Sequence, residues 1–356
     1  MAIVNVIPGR TVAVDGQEFL YFSGTSYLGM AQNKEFLALV QEGLRQYGAN
    51  FGGSRLSNMQ LAIFEEAEEF LAQFTGAAAA LSVSSGSLAG QLIVRYFERL
   101  GKPLHFAPGT HPALWGKGTY STTNYRDWTV EMLDRVAQHE QEVVLFCNSV
   151  DPLRVQLFDF EWLRELPKNK KTTIVIDDSH GLGVLGQQGA GVYALVPALE
   201  QLEVIVVASL GKALGVPGGV VLGSQSLVSE LWRSPFFGGA SPCVPAYLYA
   251  MVRAKELYRS AWQRLMERID FLQQQAVVTT LFRSIPNYPV FYTPHNDLSP
   301  FLEECGMLLS SFPYPTPQDD CITRLVVSAA HEWEDLGGMV EGLGRMKDGG
   351  RRTEDE

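Results

Sequence analysis

The run Thr173-Ile-Val-Ile-Asp-Asp-Ser-His-Gly-Leu-Gly-Val-Leu-Gly186 decides the fold. It opens on β-branched residues and breaks at Asp177 into polar side chains and glycine, which predicts a strand ending at the carboxyl edge of a parallel sheet, where open α/β folds bind ligands. Gly181 to Gly186 also matches the GxGxxG spacing of dinucleotide-binding turns. In that motif the glycines follow the strand directly and open a helix. Here Asp178, Ser179 and His180 intervene, and Gln187-Gln-Gly-Ala-Gly191 continues a helix badly. The run therefore reads as a glycine-rich active-site loop.

Working outward, short apolar runs recur at Ala79–Val83, Val143–Cys147, Val204–Ala208 and Gly219–Gly223, separated by stretches of helical periodicity. Strands alternating with helices predict an α/β fold with a largely parallel sheet. Residues 35–47 and 60–75 read as amphipathic helices around a loop rich in Gly and Ser, and Leu88–Leu100 as another. Arg233 to Pro245 is rich in Pro and Gly, and Ala246–Gln275 beyond it reads as one long helix. Strand-like pieces at Pro289–Tyr292 and Thr323–Ser328 and a helix from Trp333 complete a smaller α+β C-terminal domain. The expected division is an N-terminal segment 1–34, a large domain 35–240, a small domain 241–346 and a disordered charged tail 347–356.

At 356 residues and 46% hydrophobic content, the chain can bury one large core and a second smaller one. Its formal charge of -11, with no basic cluster denser than Lys168-Asn-Lys-Lys171, repels nucleic acid over most of the surface. No apolar run reaches the roughly 18–20 residues that span a bilayer, so no membrane role is expected. The cysteines 147, 243, 305 and 321 are scattered and form no CxxC. The expectation is a soluble cytoplasmic protein acting on small molecules.

Between Glu203 and Glu230 the only ionisable side chain is Lys212, in Ser209-Leu-Gly-Lys-Ala-Leu-Gly215 between two apolar strands. Desolvation lowers an amine's pKa and readies it to attack an aldehyde. A loop lysine snorkelling to the surface fits the local sequence equally well. Asp177, Asp178 and His180 end a neighbouring strand, and a buried carboxylate there wants a cationic partner. The protonated pyridine nitrogen of pyridoxal 5'-phosphate (PLP) is one such partner, and His180 can reach the ring's phenolic oxygen. A turn-capping Asp and a core histidine are the plainer reading. Ser84-Ser-Gly-Ser87, between a strand and a helix, offers N–H groups and hydroxyls for a phosphate, or else an ordinary serine N-cap. His111, in Pro108-Gly-Thr-His-Pro-Ala-Leu-Trp-Gly116, can lay its ring on a flat cofactor or sit idle in a loop. Arg324 can clamp a substrate carboxylate or form a structural pair. No HExxH, Cys/His cluster or Gly-x-Ser-x-Gly elbow is present, so no metal is expected.

Five segments together resemble the α-oxoamine synthase family of fold-type I PLP-dependent enzymes. They are Ser26-Tyr-Leu-Gly29; Tyr47-Gly48 with Phe51-Gly-Gly-Ser-Arg-Leu56; Ser84-Ser-Gly86; Ile176 to Gly186; and Ser209 to Gly215. The resemblance implies that Lys212 forms the Schiff base, Asp177 pairs with the pyridine nitrogen, His180 contacts the phenolic oxygen and His111 stacks on the ring. By the same resemblance Ser85, Gly86, Ser87 and Ser209 hold the phosphate. Arg324, seven residues before His331, matches the family's carboxylate-binding arginine, and Ser26 stands at a substrate-side position. A homodimer with active sites at the subunit interface is implied as well. The sequence departs from the family at Ser26 (usually Asn), Ser87 (usually aromatic), Gly90 (usually Asn) and Asn148-Ser-Val-Asp-Pro152, which lacks a Glu and a second Ser. Gly238-Gly-Ala-Ser241 is a loose version of the phosphate loop that a partner subunit donates.

The implied activity is condensation of a small amino acid with an acyl-CoA or similar thioester. An aminotransferase or other α-carbon enzyme of the same fold, and a scaffold that has lost catalysis, stand as alternatives.

Overall fold

The computed structural model describes residues 3–314 and 316–351, the last five by backbone alone. The chain divides into two compact units. The larger holds Lys34–Asp151 and Leu157–Lys255, and the smaller holds Met1–Asn33, Pro152–Gln156 and Glu256–Glu356.

The larger unit is built on a seven-stranded sheet in the order Ala79–Val83, Gly219–Gly223, Leu202–Ser209, Thr172–Asp177, Val143–Asn148, Leu104–Phe106, Thr119–Tyr120. Gly219–Gly223 runs antiparallel to both neighbours, and every other pairing is parallel. Every residue of Val143–Asn148 and Thr172–Asp177 is buried. A parallel strand covered on both faces needs such continuous apolar runs, which is why these strands are legible as runs rather than as alternation. Helix Gly86–Arg99 presents Leu92, Ile93 and Phe97 to a core that includes Val144, Phe146, Val175, Ile205 and Val207. The fold is the expected mostly parallel sheet flanked by helices.

One expected helix is two. Pro245–Arg253 stops at Ala254 (φ -91°, ψ 17°), whose N–H bonds to Met251 O, and a second helix runs from Lys255 to Gln273. The first packs on helix Lys34–Tyr47, where a Cβ on Gly43 would come within 2.5 Å of Ala246 O. The two segments bury their apolar faces in different units, and no Gly or Pro announces the break. The division between units accordingly falls after Lys255 rather than near residue 240.

The smaller unit carries a five-stranded sheet in the order Thr11–Val14, Gln17–Phe22, Met307–Pro313, Cys321–Val326, Val290–Thr293. The N-terminal residues thus form a hairpin of this sheet, through the parallel pairing of Gln17–Phe22 with Met307–Pro313. Helix Trp333–Arg351 takes in the first five residues of the expected charged tail, and 352–356 lie outside the described residues.

Candidate active site

The parallel strands end on one edge, and their register sets the site. Asp177 pairs with Val207 on one side and Asn148 on the other, while Ser209 lies across from Gly219 and Gly219 from Val83. The chain leaves the sheet just beyond each of these points, so Ser84–Ser87, Asn148, Asp177–His180 and Ser209–Lys212 belong to the same edge.

Lys212 is half-buried on the loop after Leu202–Ser209. Burial holds its ammonium below the ordinary lysine value, while the charges of Asp177 and Asp178 act to raise it. Among the described residues it makes no ion pair. Such an amine sheds its proton readily, as a nucleophile must.

Asp177 is 8% exposed. Its Oδ1 accepts the Ser179 N–H at 2.9 Å, and its Oδ2 lies 3.6 Å from His111 Nδ1. Ser179 joins two strand ends, because its Oγ accepts the Ser209 N–H at 2.9 Å. Burial lowers the pKa of His111, Asp177 opposes that, and Lys212 adds to it. His111 Nδ1 accepts the Ala113 N–H at 3.2 Å, so the neutral ring carries its proton on Nε2. His180 follows on the same strand end and is half-buried.

The His111 loop is held from two directions. Asn148 accepts the His111 N–H at 3.0 Å and donates to Gly109 O at 2.8 Å. Gln91, on helix Gly86–Arg99, donates to the Ala113 and Trp115 carbonyls at 3.0 Å each. A Cβ on the adjacent Gly90 would stand 2.4 Å from Ala113 O, so only glycine lets this loop approach so closely. Asn148 and Gly90, two departures from the family pattern, therefore do local work on the loop that carries His111. Sequence reasoning missed both contacts, since they link positions far apart along the chain.

At the start of helix Gly86–Arg99, Ser85 is the N-cap, its Oγ accepting the Leu88 N–H at 3.1 Å. The plain reading of Ser85 thus holds, and it coexists with the other one. The Gly86 and Ser87 N–H groups head the helix, where no intrahelical acceptor exists, and the dipole favours an anion. A Cβ on Gly86 would fall 2.9 Å from Ser209 Cα, so the glycine brings the helix start against the Ser209 backbone. Ser209 Oγ accepts the Gly211 N–H at 3.2 Å.

The larger unit thus brings together Lys212, Asp177, His111, His180, Ser85, Gly86, Ser87 and Ser209. Arg324 and Ser26 belong to the smaller unit. There Arg324 donates to Pro152 O at 3.1 Å and to Ser310 Oγ at 3.0 Å. Ser26 O accepts from Ser328 Oγ, while the buried Ser26 hydroxyl has no hydrogen-bond partner among the described residues.

Known proteins resemble the chain over most of its length. The family model described as aminotransferase class I and II matches residues 18–296. The chain is 27% identical over 351 residues to the 8-amino-7-oxononanoate synthase of Pseudomonas savastanoi pv. phaseolicola, covering 94% of this chain and 88% of that protein. It is 28% identical over 354 residues to the enzyme of the same name from Stutzerimonas stutzeri, covering 94% and 89%. Among solved structures, a serine palmitoyltransferase variant from S. paucimobilis with a bound PLP–myriocin aldimine aligns with a TM-score of 0.82 at 16% identity, covering 97% of this chain and 92% of that one. An 8-amino-7-oxononanoate synthase from Francisella tularensis aligns with a TM-score of 0.72 at 19% identity, covering 93% and 98%. These likenesses establish the fold-type I transferase fold. With most of its length matched by the family model, the chain belongs to the class I and II aminotransferase family, and its resemblance to α-oxoamine synthases falls within it.

Proposed function

We propose that the chain is a PLP-dependent acyltransferase that joins a small amino acid to an acyl-CoA or similar thioester, with the cofactor held covalently by Lys212. The observation that carries this reading is the pairing, on one sheet edge, of a lysine whose charged form is disfavoured with the buried carboxylate Asp177.

The residues fit the cofactor's three recognisable parts. For its phosphate there are the Gly86 and Ser87 N–H groups, the Ser87 hydroxyl and Ser209, brought together by the missing Cβ at Gly86. For its pyridine nitrogen there is the buried carboxyl group of Asp177, which favours a facing cation. For its aldehyde there is the Lys212 amine. When bound, PLP supplies that aldehyde and a ring that draws electrons away from a substrate α-carbon.

The chain's own residues do the rest. With the cofactor in place, the Lys212 amine would be able to take and return a proton at the substrate α-carbon. His111, fixed through Asn148 and Gln91, presents a neutral ring at the same edge. His180 is placed to contact the phenolic oxygen, by resemblance. Arg324 and Ser26 keep their substrate roles on the resemblance alone, and so does the homodimer. The likeness to 8-amino-7-oxononanoate synthases, over nearly their whole lengths, favours acyl transfer over transamination.

The test incubates the PLP-loaded protein with glycine, alanine or serine and a panel of acyl-CoAs, following free thiol. Thiol release that needs both substrates supports the proposal. Conversion of the cofactor to its amine form by amino acid alone, with no thiol released, supports transamination instead. An unchanged cofactor spectrum with every amino acid supports loss of catalysis.

A further inference from the structure

Asp178, the second carboxylate of the strand end, has no part in the chemistry described above. It is 1% exposed, and a buried carboxyl group is costly unless something uses it. Its surroundings are built around it. A Cβ on Gly181 would stand 2.0 Å from Asp178 Oδ1, and one on Gly191 would stand 2.3 Å from Oδ2. Two glycines ten positions apart are therefore kept free of side chains by a single carboxyl group. Oδ2 accepts the Val192 N–H at 2.9 Å, fourteen residues away. The Asp178 carbonyl receives the Gly181 and Leu182 N–H groups at 3.0 and 2.8 Å, and the Asp178 N–H donates to Val207 O at 2.8 Å. Within the loop, Gly183 N–H meets Gly189 O and Gly191 N–H meets Leu185 O.

We propose that Asp178 is a positioning residue: its carboxyl group is the post around which loop 181–192 closes, and it holds that loop to the strand end that presents Asp177 and His180. The glycine-rich run is, on this view, a clasp around a side chain of its own chain rather than a cradle for a ligand phosphate.

The groups facing Asp178 give the clasp a pH dependence. Burial pushes its carboxyl up to about 7, the Ser149 hydroxyl and the Val192 N–H oppose this, Asp177 adds to it and Lys212 opposes it. A carboxyl whose folded value lies above its ordinary 3.8 binds a proton in the native state that the unfolded chain has given up. It therefore subtracts stability as pH rises between those two values, and no further above the higher one. Above that value it also places a second negative charge near Lys212.

The proposal makes Asp178 serve the lysine site of the proposed function, but its first test needs no cofactor. In the full-length apo-protein, amide hydrogen exchange is followed across 181–192 for the wild type, Asp178→Asn and Asp178→Ala. Asparagine keeps an oxygen for the Val192 N–H and the shape of the side chain, so exchange in the loop should stay within about threefold of wild type. Alanine should speed it at least tenfold, with the sheet unaffected. The thermal midpoint gives a second readout that remains if the alanine variant fails to fold. The wild type should lose midpoint relative to Asp178→Asn between pH 5 and pH 8. In the PLP-loaded protein, Asp178→Asn should lower the pH midpoint of any Lys212-dependent visible band. Unchanged loop exchange in Asp178→Ala, or a midpoint gap between wild type and Asp178→Asn that ignores pH, overturns the proposal. A loosened loop in a protein that never gains a visible band would instead uphold the clasp and sink the cofactor assignment.

Discussion

The carboxyl edge of the seven-stranded sheet and the smaller unit both hold cations, and they differ in the hydrogen bonds they offer them. In the smaller unit Arg268 donates from Nε to His331 O and from a terminal nitrogen to Arg264 O. Arg10 grips Asp335 with two bonds of 2.7 and 2.8 Å. In the larger unit Lys212 has two carboxyl groups acting on it from a distance and, among the described residues, no ion pair. Arg268, like Lys212, is held below its ordinary value by burial, but its donors are taken up by two carbonyls, whereas Lys212 is compensated only in part by two nearby charges, as a reactive group would be.

The contrast is tested most strongly at Lys212. Lys212→Ala should abolish PLP-dependent visible absorbance and all turnover while leaving the thermal midpoint of the apo-protein unchanged or slightly raised, because it removes a desolvated charge. Absorbance spectra and a melting curve of the same preparation check both halves.

Next comes Asp177→Ala, which removes the carboxylate expected to face a buried cation. Losing one partner of such a pair costs about 3 kcal/mol, or ~100-fold in cofactor retention, measurable by dialysis against graded PLP. Asp177→Asn should fail almost as badly, since charge rather than shape is required.

In the smaller unit the same kind of change should act on stability alone. Arg268→Ala leaves the His331 and Arg264 carbonyls without their donors and should cost about 2 kcal/mol in denaturant unfolding. PLP absorbance in this variant should be normal.

The smallest effect belongs to the half-exposed pair Arg10–Asp335. Burial alone would raise the Asp335 carboxyl, but the Arg10 hydrogen bond, the Glu332 N–H and the Arg10 and His331 charges together outweigh it and the net value is lowered. The pair's stabilisation is therefore present above the ordinary carboxylate range and lost as pH falls through the lowered value. Asp335→Asn should cost about 1 kcal/mol at neutral pH and progressively less as pH falls through that lowered value, as paired unfolding curves would reveal.

The two regions also differ in how far the sequence discloses them. Strands buried on both faces must be apolar throughout, so Val143–Asn148 and Thr172–Asp177 stand out as runs, and the chemistry at their ends stands out by contrast. Lys212 and Asp177 were visible for that reason. Gln17–Phe22 was not, because only two of its six residues are fully buried and its sheet partner lies nearly 300 positions away. Nothing local marks Ala254 as a helix break, since its neighbours are ordinary helix formers. Nor does the sequence tell that Asn148 and Gly90 hold the His111 loop, or that Gly181 and Gly191 make room for Asp178. Those are contacts across the fold, and a residue's own type does not carry them.

The direct test of Lys212 as the cofactor's anchor is to load the protein with PLP, reduce it with borohydride, digest it and weigh the peptides. The account predicts one added pyridoxyl mass, on the peptide containing Lys212 and on that residue. A label on another lysine, or no label at all, would contradict it.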